Sequence, residues 1–299
     1  MNTERFDAAI VGGSYAGVSA GLQLARARRR LLVIDAGQRR NRFAASSHGF
    51  LGQDGRPPQD IAAEAQAQLR AYPTVRWIGA SVTSAARTDE GFALHTSDGT
   101  TLHAARLVLA TGVEDQLPPI EGLAERWGRA VFHCPYCHGY ELQQGRIGVL
   151  ARSELAMHHA LMLPDWGQVT LFLDEAFTPS DEQGRELAAR GVAVERTPVR
   201  RLVDHATVEL EDDRRLPMDG LFTMSWTRPA TPIAAQLGCA MEQSPMGEFV
   251  RTDAMKATSV PGVFACGDLA RAAGNVALAV GDGAMAGAAT HRSLLFPGA

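Results

Sequence analysis

Phe6-Asp7-Ala8-Ala9-Ile10-Val11-Gly12-Gly13-Ser14-Tyr15-Ala16-Gly17 stands near the start of the chain, and Leu31-Leu32-Val33-Ile34-Asp35 follows one helix length later. Phe6 to Val11 reads as a buried strand and the small-residue stretch from Ala16 to Arg28 as a helix. Leu31 to Ile34 reads as a second buried strand. Strand, glycine turn, helix, strand and acid make a dinucleotide-binding βαβ unit. Gly12 permits the tight turn, and Gly17 lets the helix pack closely on the strand. The helix N-terminus offers N–H groups and positive dipole to a pyrophosphate. Asp35, eighteen residues after Gly17, can accept hydrogen bonds from ribose hydroxyls. Ser14 departs from the usual pattern, which has a glycine there.

A second unit repeats the layout: Ile147 to Leu150 as strand, Glu154 to Leu163 as helix, and Val169 to Leu173 as strand ending in Asp174. Its turn, Ala151-Arg152-Ser153-Glu154-Leu155-Ala156, has none of the three fingerprint glycines. Glu154 would set negative charge beside a pyrophosphate, and Asp174 stands where a 2′-phosphate would have to go, with no arginine cluster after it. We read a nucleotide domain whose binding turn is absent; weak or unorthodox nucleotide binding is the competing reading. Leu107-Val108-Leu109-Ala110-Thr111-Gly112 is a further strand and turn, followed by Pro118-Pro119 as a domain crossing. Pro217, Pro229, Pro232 and Pro245 mark the crossing back, and Pro261 to Asp268 forms another strand leading to Gly267-Asp268 at a helix start. The fold expected is α/β with two Rossmann-like, doubly wound domains, as 299 residues allow at roughly 150 per domain.

Composition excludes several classes. With 45% hydrophobic and 21% charged residues the chain is an ordinary globular protein rather than a disordered one. A net charge of −4 without a basic stripe disfavours a nucleic-acid binder. Glu4, Arg5 and Asp7 do not match a signal peptide, and no uninterrupted apolar run of about 18 residues occurs. A cytoplasmic protein that does not span a membrane is expected.

His133-Cys134-Pro135-Tyr136-Cys137-His138 is the chemical centre. Two cysteines so spaced can close a small disulfide, and a helix N-terminus or nearby histidine can lower one thiol pKa, raising the thiolate fraction that performs exchange. His133 and His138 flank the pair as candidate acids or bases. The motif also matches a c-type haem attachment signature, which requires export. A zinc site needs a second pair, whereas Cys239 and Cys266 are isolated and read as structural. Glutaredoxins share Cys-Pro-Tyr-Cys, but near the start of a small domain. A redox disulfide beside a bound dinucleotide remains the leading reading, with no metal. His158 and His159, adjacent on a helix, make a poor metal pair, and Arg26, Arg28, Arg29 and Arg30 read as a solvated helix end. Trp127 and Trp166 show no stacking pattern.

On these residues the chain resembles the low-molecular-weight thioredoxin reductase family over nearly its whole length. Gly12 to Gly17 matches that family's FAD pyrophosphate turn, Ala110-Thr111-Gly112 its ATG element, and Gly267-Asp268 its C-terminal flavin motif. The resemblance implies FAD, with Asp268 on the ribitol side and the Asn275, Val276 and Ala277 backbone near the pyrimidine edge. It also implies cofactor contacts from Ser14, Tyr15, Ala16, Asp35, Ala36, Arg42, His48 and Val82. An FAD domain built from residues 1–116 and 246–299, a redox-disulfide domain of residues 117–245, and a homodimer follow from the same likeness. The family's second glycine motif and its arginines for NADPH are missing, and His138 replaces the acid that normally follows the second cysteine. Cys-Pro-Tyr-Cys-His-Gly-Tyr-Glu resembles the dithiol oxidases that close the disulfide of gliotoxin- and holomycin-type metabolites. That likeness implies an oxidase passing electrons from a small dithiol through Cys134, Cys137 and FAD to oxygen, with His138 as acid–base and Cys137 facing the flavin. Reverse flow to a thioredoxin-like protein from ferredoxin or another carrier, a flavin-bound redox sensor, and an ordinary nucleotide-using reductase stay open.

Overall fold

In the computed structural model, which describes residues 5–296, the first apolar run forms β1 (Arg5–Val11). Ala8, Ala9 and Ile10 are fully buried on it, as a central parallel strand covered on both faces requires. The helix α1 (Tyr15–Arg26) and strand β2 (Leu31–Ile34) complete the βαβ unit, β2 lying parallel to β1. After α2 (Pro58–Arg70), β3 (Val75–Ile78) extends the parallel sheet beyond β2. Then β4 (Val82–Thr88), β5 (Gly91–Thr96) and β6 (Thr101–Leu109) form an antiparallel meander, and β6 returns parallel beside β1. The strand order is β3-β2-β1-β6-β5-β4.

The chain leaves along β7 (Val113–Gln116). A second sheet is built from β8 (Val131–Phe132), the four-residue helix α3 (Pro135–His138), β9 (Arg146–Leu150), α4 (Ala156–Met162) and β10 (Gln168–Phe172). It is continued by α5 (Asp181–Ala189) and β11 (Ala193–Glu195). A side sheet of β12 (Val199–Val203), β13 (Thr207–Leu210) and β14 (Arg215–Pro217) precedes β15 (Gly220–Thr223). The main sheet runs β11-β10-β9-β15-β8, parallel throughout.

The return runs through β16 (Trp226–Pro229), α6 (Ile233–Gln236), β17 (Met241–Ser244), β18 (Gly247–Val250), β19 (Val263–Ala265) and α7 (Val276–Leu295). β19 lies parallel to β6, and α7 packs on α1 through small residues. A Cβ at Gly283 or Gly287 would collide with the backbone of Ala16 or Ala20.

Two units result. One comprises the chain up to Arg42, Pro58–Asp115, and the chain from Thr227 on; the other comprises Phe43–Pro57 and Gln116–Trp226. The return therefore lies at Trp226/Thr227 rather than at 245. Ile233, Ala234, Cys239 and Val250 are buried in one core with β6 residues Leu107 and Leu109, which anchors 227–245 in the first unit. The inserted segment 43–57 is a second difference from the expected division. No helix among the described residues is long and apolar enough to cross a membrane.

Candidate active site

The first glycine turn is built for close backbone approach. Gly12 has φ 103°, a conformation open to glycine, and a Cβ there would strike the Ala110 carbonyl. A Cβ on Gly17 would strike the Gly12 carbonyl, so α1 starts tight against the turn. Ser14 precedes α1 in extended conformation and makes no side-chain cap; its carbonyl accepts the Val18 N–H at 2.8 Å. Among the described residues no group caps the N–H groups of Tyr15, Ala16 and Gly17, which leaves them for an anion. Asp35 accepts the Gly13 N–H through Oδ1 at 3.0 Å.

Among the described residues, the buried polar side-chain atoms of this unit without a partner include Thr111 Oγ1 and Asn41 Oδ1 on these turns, besides Arg29 Nε, Arg39 Nε and Thr74 Oγ1. Burying such groups is costly, so Thr111 Oγ1 and Asn41 Oδ1 are suited to a ligand. Thr111 lies between Ala110, whose N–H bonds the Val11 carbonyl at 2.8 Å, and Gly112 at φ 70°. Gly267, at φ 71°, packs on the Cβ of Ala16. Asp268 pairs with Arg40 at 3.0 Å, and Arg40 grips Asp115 at 2.6 Å. Burial works against the Arg40 charge, but hydrogen bonding and attraction to the two acids prevail and raise its pKa. Asn275 caps α7 by accepting the Leu278 N–H at 2.8 Å, with Val276 half-buried and Ala277 exposed beside it. Ala36 and Arg42 are exposed, whereas Val82 is buried in the sheet core. The turns after β1, β2, β6 and β19 leave the carboxyl ends of neighbouring parallel strands, where such folds bind nucleotides. An uncapped helix start and two orphaned oxygens on these turns fit the pyrophosphate and polar edges of FAD.

The corresponding turn of the second unit is closed. Leu155 N–H bonds Ser153 Oγ at 3.3 Å, and the Ala156, Met157 and His158 N–H groups bond the carbonyls of Ser153, Glu154 and Leu155 at 3.0, 3.0 and 3.1 Å. The donors a pyrophosphate would need are thus occupied, and the Glu154 carboxylate in the same turn accepts the Gln183 side-chain N–H at 2.5 Å. Asp174 is structural too: its Oδ1 accepts the Val199 N–H at 2.8 Å.

The same unit carries the cysteine pair. Cys134 and Cys137 form a disulfide with Cα atoms 5.3 Å apart, Cys134 preceding α3 and Cys137 lying within it. Both are half-buried. His138 stacks on Phe132, ring centroids 4.1 Å apart. Burial, and then the charge of His48, push its pKa down to about 4, so the imidazole is neutral at pH 7. His133 stacks on Trp127 at 5.9 Å, and Tyr136 meets the edge of Trp166 at 5.4 Å, so both tryptophans do pack on rings of the redox motif. Tyr136 and Tyr140 are 73% and 83% exposed and frame the motif on its solvent side. Cys239 and Cys266 are buried free thiols, and burial pushes Cys266 up to about 12, far from reactive at neutral pH.

A family model described as pyridine nucleotide-disulphide oxidoreductase matches residues 6–283. This chain belongs to that family. Thioredoxin reductase tcpT of Claviceps purpurea is 33% identical over 97% of this chain and 94% of its own length. The crystal structure of an oxidoreductase from Agrobacterium tumefaciens shares 57% identity, with a TM-score of 0.96 over 98% of this chain and 100% of that one. The crystal structure of HlmI shares 35% identity, with a TM-score of 0.91 over 98% and 94%. The protein is accordingly an oxidoreductase with a thioredoxin reductase-type flavoprotein fold.

Within this family member the structure gathers Gly12 to Gly17, Asp35, Ala110 to Gly112, Gly267, Asp268 and Asn275 to Ala277 in one unit. It gathers Cys134, Cys137 and His138 in the other, together with His48, since segment 43–57 belongs there. Sequence reasoning did not assign roles to Phe132, Arg40 or Glu141. Glu141 had a readable signal, standing one helical turn after His138 in the quoted octapeptide. Arg40 had none, because Asp115 and Asp268 are distant in sequence, and Phe132 had none, because its stacking on His138 depends on how the chain turns between β8 and α3.

Proposed function

We propose that the protein is an FAD-dependent dithiol oxidase acting through Cys134 and Cys137, with oxygen as acceptor and peroxide as product. The observation that carries this reading is the contrast between the two glycine-turn positions. One turn is open and uncapped, as FAD needs; the other, in the unit that holds the disulfide, has its donors satisfied and an acid in place. Electrons then enter through the cysteine pair rather than from a nicotinamide nucleotide.

A substrate thiolate attacks Cys134, forming a mixed disulfide and releasing Cys137 as thiolate. The second substrate thiol attacks the substrate sulfur, giving oxidised product and two reduced cysteines. Neutral His138 takes the incoming thiol proton and returns it to the leaving sulfur. Bound FAD would supply the acceptor for the two electrons of the reduced pair and their onward route to oxygen. The α1 N–H groups, Asp35, Thr111 and Asp268 would hold it. Ala36, Arg42, Val82 and Asn275 to Ala277 are proposed contacts resting on the family likeness, as are a homodimer and a cytoplasmic location. Cys137→Ser protein should bind FAD and show no dithiol-dependent oxygen uptake; uptake at the wild-type rate contradicts the scheme.

A second reading reverses the flow, toward a thioredoxin-like protein. The exposure of Tyr136 and Tyr140 favours it, since a protein partner needs an accessible face rather than an enclosed pocket. Reduction of thioredoxin by this protein with reduced ferredoxin, and no turnover of small dithiols, would support it.

A further inference from the structure

Separate segments of the first unit meet on one guanidinium. Arg40 stands in the turn after β2, Asp115 on β7 just beyond Ala110-Thr111-Gly112, and Asp268 in the turn between β19 and α7. Arg40 Nε and Nη2 donate to Asp115 Oδ2 and Oδ1 at 2.9 and 2.6 Å, and Nη1 donates to Asp268 Oδ2 at 3.0 Å. The Arg40, Asp115 and Asp268 side chains are 22%, 9% and 21% exposed, so solvent screens these pairs weakly. Only a planar fork of donors grips one carboxylate twice and still reaches a second. Asp268 is confined from another side as well, because a Cβ on Gly274 would strike its Oδ1. The next residue ties the same segment to the glycine turn. Asn41 Nδ2 donates to the Tyr15 hydroxyl at 3.2 Å, while its buried Oδ1 has no partner.

We propose that Arg40 is a positioning residue of the cofactor site, holding the Asp268 carboxylate ready for a ribitol hydroxyl of FAD, with Asp115 as its anchor. This rests on the reading that FAD occupies this unit. Two carboxylates share the guanidinium, so without it they repel each other and Asp268 loses its fixed place. Asp268 would then have to be ordered as FAD binds, at a cost in affinity; Arg40 does that ordering beforehand. An effect exerted through Asp268 must disappear when Asp268 is removed. A merely structural ion pair would weaken the chain whether Asp268 is present or not.

The test is FAD titration of the full-length chain stripped of flavin, with binding read from flavin fluorescence. Wild type is compared with Arg40→Gln, Asp115→Asn, Asp268→Ala, and Asp268→Ala combined with each of the other two. Thermal melting by circular dichroism shows which of the stripped proteins are folded. Arg40→Gln should raise the Kd for FAD about tenfold, and Asp115→Asn should raise it about threefold. In the Asp268→Ala background each substitution should change the Kd by less than about twofold. An unchanged Kd in the single variants, or an equal loss with and without Asp268, overturns the proposal. If Arg40→Gln does not fold, Asp115→Asn, which keeps the guanidinium, decides by the same comparison. Failure of wild type to bind FAD sinks the flavin reading instead.

Discussion

In the proposed reaction His138 enters as a neutral imidazole, because burial against Phe132 and then the charge of His48 disfavour its protonated form. It can accept a proton across the whole physiological range, and its own protonation limits the chemistry only as pH falls toward about 4. An ordinary histidine would impose that limit near 6.5. His138→Gln should slow reduction of the disulfide by a small dithiol about 100-fold at pH 7. The variant's rate, corrected for thiol ionisation, should also lose the acid limb. Single-turnover kinetics over pH 4 to 8 check both. The cysteine pair and its adjacent histidine were legible from spacing alone. The protonation state of His138 was not, because it depends on Phe132 folding under the ring and on His48, ninety residues upstream.

At the level of elements, α4 carries a second buried imidazole, His159, which is 7% exposed, has a partnerless Nδ1, and packs edge-on to Phe222 at 6.2 Å. Burial, and then the charge of His158, hold its pKa down to about 4. Its folded pKa is depressed, so the unfolded chain binds the proton more readily. Full stability is present above about pH 6.5 and is lost as pH falls toward 4. The loss is about 3 kcal/mol for this group. Urea titrations at pH 7 and pH 4.5 should show it, and His159→Gln should reduce the difference. The βαβ elements were readable because buried parallel strands and a glycine turn write themselves in consecutive residues. The sheet of β16, β17, β18 and β7 was not, since strand pairing over more than a hundred residues leaves no local pattern. That is why the return crossing was expected at 245, among prolines, although the chain already rejoins the first unit at Thr227.

At the scale of the whole molecule, α7 exposes Leu278 and Met285, seven residues apart on one side, with Leu295 near its end and Phe296 after it. Covering such apolar side chains removes them from water, and a second copy of the same helix is the occupant that the proposed homodimer supplies. Met285→Glu should shift the sedimentation coefficient from dimer to monomer while the visible flavin spectrum is retained. The insertion of 43–57 into the second unit was invisible in sequence for a related reason: nothing in its composition says which core it will join. The central claim is that electrons enter through the cysteine pair and not through a nucleotide, and anaerobic bleaching of the flavin band tests it most directly. NADPH, NADH and a small dithiol are added in separate cuvettes. Bleaching by the dithiol alone, with colour returning and peroxide appearing on admission of air, is the predicted result. Rapid bleaching by either nucleotide would contradict it and mean that the closed turn before α4 opens to bind one.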